Sequence, residues 1–288
     1  MSAPYALDRG GAVPRAFTKM SGAGNDFLVF GSRVGVGPTE AETIRRLCRR
    51  GTGVGADGVL FLSASSPDRV MVAYYNADGG AARFCANGTR CAARFAALRL
   101  GLPSVLDVET GWGVVGATVR ADGSVTLRLP APVGPAVPVP TFDPNEKVLE
   151  RSGAAVSAGV PHLVIFTSGP TPVEALDLEA LAPPLRFHPA LPEGANVHFV
   201  EVVARSKLNV RSWERGVEGE TLSCGSGAVA TAVVAALSRR ADPPVAIRTR
   251  SGEELVVDFT LGESAATDVT LTGDARFIFE GTWNEEIL

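Results

Sequence analysis

The chain has 288 residues, 45% of them hydrophobic and 20% charged, with a net charge of −4 at pH 7. That balance excludes a disordered chain, and the lack of any Lys/Arg block speaks against a dedicated nucleic-acid binder. The longest apolar stretch, Ala228–Leu237, is far short of a membrane span and residues 1–17 lack a signal-peptide core, so a soluble, cytoplasmic, two-domain protein is expected.

In chain order, the first half opens on Ala23-Gly24-Asn25-Asp26-Phe27-Leu28-Val29-Phe30. Residues Thr39–Arg50 read as a helix: Thr39 and Glu42 are placed as a capping box, and Ala41, Ile44, Leu47 and Cys48 share a face. Cys48 is therefore expected in the core. The β-branched and aromatic run Val70–Tyr75 ends in the polar turn Asn76-Ala77-Asp78-Gly79. After it come Cys85-Ala86-Asn87-Gly88 and a helix over Thr89–Leu100, stopped by Gly101-Leu102-Pro103. Between Leu129 and Asn145 six prolines forbid helix and central strand and mark a connection between two domains.

The second half repeats the first. Ala158-Gly159-Val160-Pro161-His162-Leu163-Val164-Ile165 follows Ala23–Phe30 at an offset of 135 residues (23 to 158). Cys224-Gly225-Ser226-Gly227 follows Cys85–Gly88 at 139 (85 to 224), and Ala235-Ala236-Leu237 echoes Ala96-Ala97-Leu98. The run Leu208–Trp213 with its turn Glu214-Arg215-Gly216 stands where Val70–Tyr75 and its turn stood. Three matches in one order imply two copies of an α+β unit, each with strands, a Cys-bearing Gly turn and an apolar helix. The second helix is expected over Ala228–Arg239, stopped by Asp242-Pro243-Pro244.

Of the four cysteines, Cys85 and Cys224 carry the duplicated context, while Cys91 fits packing or chemistry equally. No CxxC pair occurs, and His162, His188 and His198 lack zinc-finger spacing, so no structural zinc site is expected. A Cys just before a helix start meets free N–H groups and the positive dipole end, which is expected to lower the thiol pKa. The same N–H groups suit a substrate carboxylate. With one thiol on each face of an α-carbon, one removes the proton and the other returns one, inverting the centre.

These motifs resemble the diaminopimelate epimerase family. The resemblance rests on Lys19–Phe27, Gly55-Ala56-Asp57-Gly58, Tyr75–Gly79, Cys85–Cys91, Pro161-His162, Ala195-Asn196-Val197, Trp213–Gly216 and Gly219–Gly227. It implies two pseudo-symmetric domains, at 15–130 plus 275–288 and at 131–274, each a curved mixed sheet around a central helix. The last strand, at Ala275–Glu280, would cross back to the first domain. It further implies interconversion of LL- and meso-diaminopimelate for lysine and peptidoglycan precursors, without pyridoxal phosphate or metal. Cys85 and Cys224 would be acid and base, assisted by His162 and Glu214. Asn25, Asn76, Ala86, Asn87, Asn196, Glu214, Arg215, Gly225 and Ser226 would contact the substrate. By themselves Asn76 and Asn196 also suit turns, and Arg215 also suits a surface pair with Glu214. The partner expected is a small amino acid, with neither nucleic acid nor membrane, and assembly as a homodimer is left open.

Four positions depart from the family: Ser21 in place of His, Ala86 in place of Gly, an inserted Glu218, and Val160 where the family has an Asn that helps hold the substrate's distal end. Val160 keeps a second reading open, a cofactor-independent racemase of another amino acid. A third is a ligand-binding or isomerase relative of the same fold without thiol chemistry, against which both cysteines argue. A pyridoxal-phosphate racemase is disfavoured, since the lysines Lys19, Lys147 and Lys207 stand in no cofactor setting.

Overall fold

The structure is a computed structural model that describes residues 16–32, 40–129, 133–141, 149–150, 152–168 and 171–287. The chain forms two compact units, 1–130 with 273–288 and 131–272. No helix among the described residues is long and apolar enough to cross a membrane.

The first unit begins with a hairpin, β1 (Ala16–Gly22) and β2 (Asn25–Ser32), closed by Ala23 and Gly24. Both turn residues have positive φ, 51° and 92°, the geometry whose twist matches paired strands. Helix α1 (Ala41–Cys48) then leads to β3 (Gly58–Ser66), which runs parallel to β2. Strand β4 (Arg69–Asn76) returns antiparallel to β3, and the short β5 (Ala81–Ala82) caps it. Helix α2 (Ala86–Phe95), extended by a π-helical turn at Ala96–Leu100, carries the chain to β6 (Val105–Thr110), parallel to β4. Strands β7 (Gly113–Val119) and β8 (Val125–Arg128) complete an antiparallel meander.

The second unit repeats this order. Strands β9 (Val137–Pro140), β10 (Ser152–Ser157) and β11 (Pro161–Phe166) are antiparallel neighbours. Helix α3 (Leu178–Arg186) leads to β12 (Asn196–Ala204), parallel to β11, and β13 (Lys207–Glu214) returns with the short β14 (Gly219–Thr221). Helix α4 (Gly225–Leu237) leads to β15 (Val245–Arg248), parallel to β13, then to β16 (Glu254–Leu261) and β17 (Ala266–Gly273). The last strand, β18 (Arg276–Thr282), pairs antiparallel with β1 as β9 pairs with β10. Each unit is thus a mixed sheet with two parallel pairings at equivalent places.

The central helices explain the curvature. Almost every residue of α2 and α4 is buried, which a helix achieves only when other elements surround it, and here those elements are strands. Helix α2 packs on β1, β2, β4, β6, β7 and β8, and α4 on β10, β11, β12, β15 and β16. The Gly, Ala and Val composition of α4 permits that close wrapping. Leu163, Ile165, Val197, Phe199 and Trp213 pack with α3 in the second unit's core. Leu28, Phe30, Val59 and Phe61 pack with α1 in the first.

Several local expectations need correction. Both central helices start three residues early, at Ala86 and Gly225, because the cysteines themselves are the N-cap residues. At α1 the N-cap position falls to Glu40, which makes no side-chain cap bond; Glu42 instead pairs with Arg45 and Arg46. The other member of that expected capping box, Thr39, lies outside the described residues. Strand β9 forms within the proline-rich connection, with Pro138 and Pro140 in a strand whose described partner is β10 alone. Helix α3, for which no expectation was formed, carries Pro183 and Pro184 in its last turns.

Candidate active site

In the first unit Cys85 ends an extended segment and caps α2, its Sγ accepting the Gly88 N–H at 3.5 Å. The thiol is half-exposed. Two residues on, buried Asn87 donates to Asn25 Oδ1 at 2.6 Å, and Asn25 donates to Asp57 at 3.1 Å. Arg90, wholly buried, donates to Asn87 Oδ1 at 2.8 Å and to the Asp274 carbonyl at 3.1 Å. Beyond Asp57 lies an ion network: Arg50 bridges Asp26 and Asp57, and Lys19 meets Asp26 at 2.7 Å. Burial works against the Asp26 carboxylate, but hydrogen bonds from Arg50 and Lys19 hold its pKa below the ordinary value. Asn76, exposed at the end of β4, closes its turn by backbone bonds with Gly79 and Gly80. Ser21 lies half-buried at the end of β1, opposite Asp26 and Arg276.

In the second unit buried Cys224 caps α4, with the Ser226 hydroxyl 3.7 Å from its Sγ. Glu214, at the end of β13, accepts from Thr221 at 2.6 Å and sets its negative charge beside the thiol. His162 on β11 and His198 on β12 are both fully buried, and their rings are joined Nδ1 to Nε2 at 2.8 Å. One ring nitrogen of each and Cys224 Sγ lie within 4.8 Å of one another. Among the described residues, these three side chains form a group that could hold a soft cation such as Zn²⁺, although the rings' mutual hydrogen bond occupies one nitrogen of each.

The expected fall in thiol pKa does not hold for Cys224. Burial, joined by the Glu214 charge, pushes its thiol well above the ordinary value, against the Gly227 N–H that favours thiolate. A thiol there is a proton donor until something takes its proton. Burial likewise pushes Cys48 up to about 12 and Cys91 upward, so both are inert core thiols.

Asn196 is buried at the start of β12 and accepts the Arg215 backbone N–H at 2.7 Å. The Arg215 guanidinium donates to the Glu193 carbonyl. Glu218 adds one residue to the β13–β14 turn relative to the β4–β5 turn, at a φ of 53°. It is anchored by buried Arg186 at 2.9 Å and by the Gly216 N–H. Val160 stands half-buried directly after Gly159, as Asn25 stands after Gly24.

Sequence reasoning missed three residues that shape these sites: Arg90, His198 and Ser212. The signal was available in the offset between copies, since His198 and Ser212 stand 138 residues after Leu60 and Tyr74.

The family model for diaminopimelate epimerase matches residues 17–133 and 154–278. The chain belongs to the diaminopimelate epimerase family. A diaminopimelate epimerase of Aquifex aeolicus (strain VF5) is 37% identical over 285 residues, covering 94% of this chain and 99% of the relative. One of Synechococcus sp. (strain JA-2-3B'a(2-13)) is 37% identical, with coverage of 94% and 99%. Among solved structures, a hydroxyproline epimerase from Agrobacterium vitis with bound trans-4-OH-L-proline superposes with a TM-score of 0.62 at 16% identity, over 93% of this chain and 92% of that one. A probable proline racemase from Agrobacterium radiobacter K84 gives 0.66 at 19%, over 94% and 93%. At such identities these two establish the diaminopimelate epimerase-like fold.

Proposed function

We propose that this protein interconverts LL- and meso-diaminopimelate, with Cys85 and Cys224 as its two acid/base groups. The observation that carries the reading is that each cysteine is the N-cap of a buried central helix. The α-carboxylate is held by helix N–H groups, which also take up the negative charge that develops when the α-proton leaves. One cysteine, as thiolate, accepts that proton and becomes a thiol. The other gives its proton to the opposite face and becomes a thiolate, so atoms and charge balance over the turnover. Asn25, Asn76, Ala86, Asn87, Asn196, Glu214, Arg215, Gly225 and Ser226 bind and orient the substrate, and His162 and Glu214 assist Cys224. Four cysteines, none of them in a disulfide, suit the reducing cytoplasm, where this biosynthetic step belongs.

Val160 favours one second reading, racemisation of an amino acid with a less polar side chain, because a Val beside the pocket offers packing in place of a hydrogen bond. The deciding experiment is ¹H NMR in D₂O under reductant, with LL-diaminopimelate and single L-amino acids, scored for α-deuterium. Diaminopimelate should exchange fastest, and Cys85→Ser and Cys224→Ser should each remove the exchange while the far-UV spectrum stays native. Near wild-type turnover in either variant would sink the two-base reading.

A further inference from the structure

The turn between β13 and β14 carries one residue more than its counterpart in the first unit, and that residue closes a ring of contacts. Trp213 pairs with Glu220 across seven positions (213 to 220), whereas Tyr75 pairs with Ala81 across six (75 to 81). The extra residue, Glu218, adopts a left-handed φ of 53°, a conformation that suits Gly or Asn and costs a long side chain. The turn itself asks for no carboxylate there, since the Glu218 backbone N–H closes it on the Glu214 carbonyl at 2.9 Å. A glutamate in so unfavourable a place calls for a reason in what its side chain holds.

One Glu218 oxygen accepts the Gly216 N–H at 3.0 Å and the Arg186 guanidinium at 2.9 Å. Burial works against the carboxylate, but the Gly216 N–H and the Arg186 and Arg215 charges hold its pKa below the ordinary value. Arg186, at the end of α3, is buried, and Glu218 is its ion-pair partner among the described residues. The Arg186 guanidinium lies against Gly194, where an added Cβ would strike Nη1. The Arg186 carbonyl accepts the Ala195 N–H at 3.3 Å. Arg215 grips the same segment from its other end, donating its backbone N–H to Asn196 Oδ1 at 2.7 Å and its guanidinium to the Glu193 carbonyl at 3.2 Å. So Glu218 holds Arg186, Arg186 backs residues 194–195, Asn196 holds Arg215, and Gly216 leads back to Glu218. An exposed ion pair would contribute little, but here the cation is buried and its carboxylate cannot be lost without leaving it unpaired.

We propose that Glu218 and Arg186 are positioning residues that hold Arg215 and Asn196 in their substrate-binding geometry. A guanidinium binds a carboxylate well only when its fork faces both oxygens, so a shift of the Arg215 backbone loses part of that contact. Glu218 also balances the charge of Arg186, which leaves the charge of Arg215 for the substrate. Neither residue takes part in proton transfer, so the effect falls on KM and not on kcat. The inference rests on the reading of Asn196 and Arg215 as substrate contacts.

The test uses the full-length protein under reductant with diaminopimelate. Glu218→Ala should raise KM about tenfold, the worth of one charge-assisted hydrogen bond, with kcat changed less than about threefold. Arg186→Met should match it; if that variant fails to fold, the half-exposed Glu218 carries the comparison alone. Glu218→Gln, whose amide oxygen can still accept from Gly216 and Arg186, should recover most of the loss. Glu218→Gly relieves the left-handed backbone, so it should melt above Glu218→Ala yet share its raised KM. In an Arg215→Met background Glu218→Ala should add no further rise in KM. Without substrate, exchange of the Arg215 amide hydrogen, followed by ¹H–¹⁵N NMR, should be at least about tenfold faster in Glu218→Ala than in wild type. A near wild-type KM in Glu218→Gly, an undiminished rise in the Arg215→Met background, or unchanged Arg215 exchange overturns the proposal. Wild-type KM in Arg215→Met would instead count against Arg215 as a substrate contact, and the exchange rates would still decide whether Glu218 positions it.

Discussion

Arg90 and Asn87 sit one turn apart on α2, and the buried Arg90 guanidinium takes the Asn87 side-chain oxygen at 2.8 Å. With that oxygen engaged, Asn87 turns its NH₂ toward Asn25 Oδ1, and Asn25 turns its own toward Asp57. A cation at one end and a carboxylate at the other thus decide which way two amides face. Arg90→Met keeps the stem and removes the fork, so stability should fall by at least about 1.5–3 kcal/mol, the worth of a charged hydrogen bond. Arg90→Lys should keep part of that stability but raise KM more than it lowers kcat, because in the proposed function these amides orient substrate. Urea midpoints and steady-state kinetics check both; unchanged KM in Arg90→Lys would show that the amides do not bind.

The central helices tolerate a methyl group differently. Gly227→Ala places Cβ 2.1 Å from the His198 ring, whereas Gly88→Ala meets Leu60 at 3.2 Å. Overpacking a well-filled core costs about 1–3 kcal/mol or more, so Gly227→Ala should lose at least that and Gly88→Ala much less. A double-mutant cycle checks the cause: His198→Ala combined with Gly227→Ala should recover part of the loss. Equal losses in Gly88→Ala and Gly227→Ala would contradict the difference in packing.

Buried ionisable groups make stability fall on both sides of neutrality. Burial sets the Cys48 thiol at about 12 against an ordinary value near 9. Below 9 both states are protonated; above it the unfolded chain loses a proton that the native chain keeps. Stability from this group therefore drops by roughly 1.4 kcal/mol per pH unit as pH rises from 9 toward 12. On the acid side burial sets His198 at about 3 against 6.5. Its contribution is full above 6.5 and falls at about the same rate as pH descends toward 3, because only the unfolded ring charges. Urea midpoints across pH should show Cys48→Val flattening the alkaline limb and His198→Leu the acid limb.

Val160 occupies the place of Asn25 in the second copy, half-buried after a left-handed glycine. A hydrogen bond to a charged group is worth about 1.5–3 kcal/mol, roughly tenfold to 150-fold in affinity. Val160→Asn should therefore lower KM for diaminopimelate more than it changes kcat, since the contact is remote from the reacting carbon. On a substrate with an apolar side chain the same change should weaken binding by leaving an amide unpaired. Kinetic constants for both enzymes on diaminopimelate distinguish the two; an Asn variant no better than an efficient wild type would remove Val160 from the pocket.

The sequence alone determined the duplication, because turn residues and apolar runs recur at near-constant offset and each carries its local geometry. The place of Cys85 and Cys224 at the starts of the two central helices was legible for the same reason, as was the fold class: a Gly turn before an Ala-rich run specifies a helix start wherever it stands. Helix starts were displaced by three residues because an N-cap is defined by which side chain or backbone group meets the first free N–H groups, and spacing does not show that. The protonation of Cys224 was decided by tertiary structure, since burial and the neighbouring Glu214 charge outweigh the helix end. So was the His162–His198–Ser212 chain: its members lie on three strands, and only strand register brings them within hydrogen-bonding distance. Local patterning records what each segment prefers, whereas desolvation and cross-strand contacts depend on what the rest of the chain places beside it.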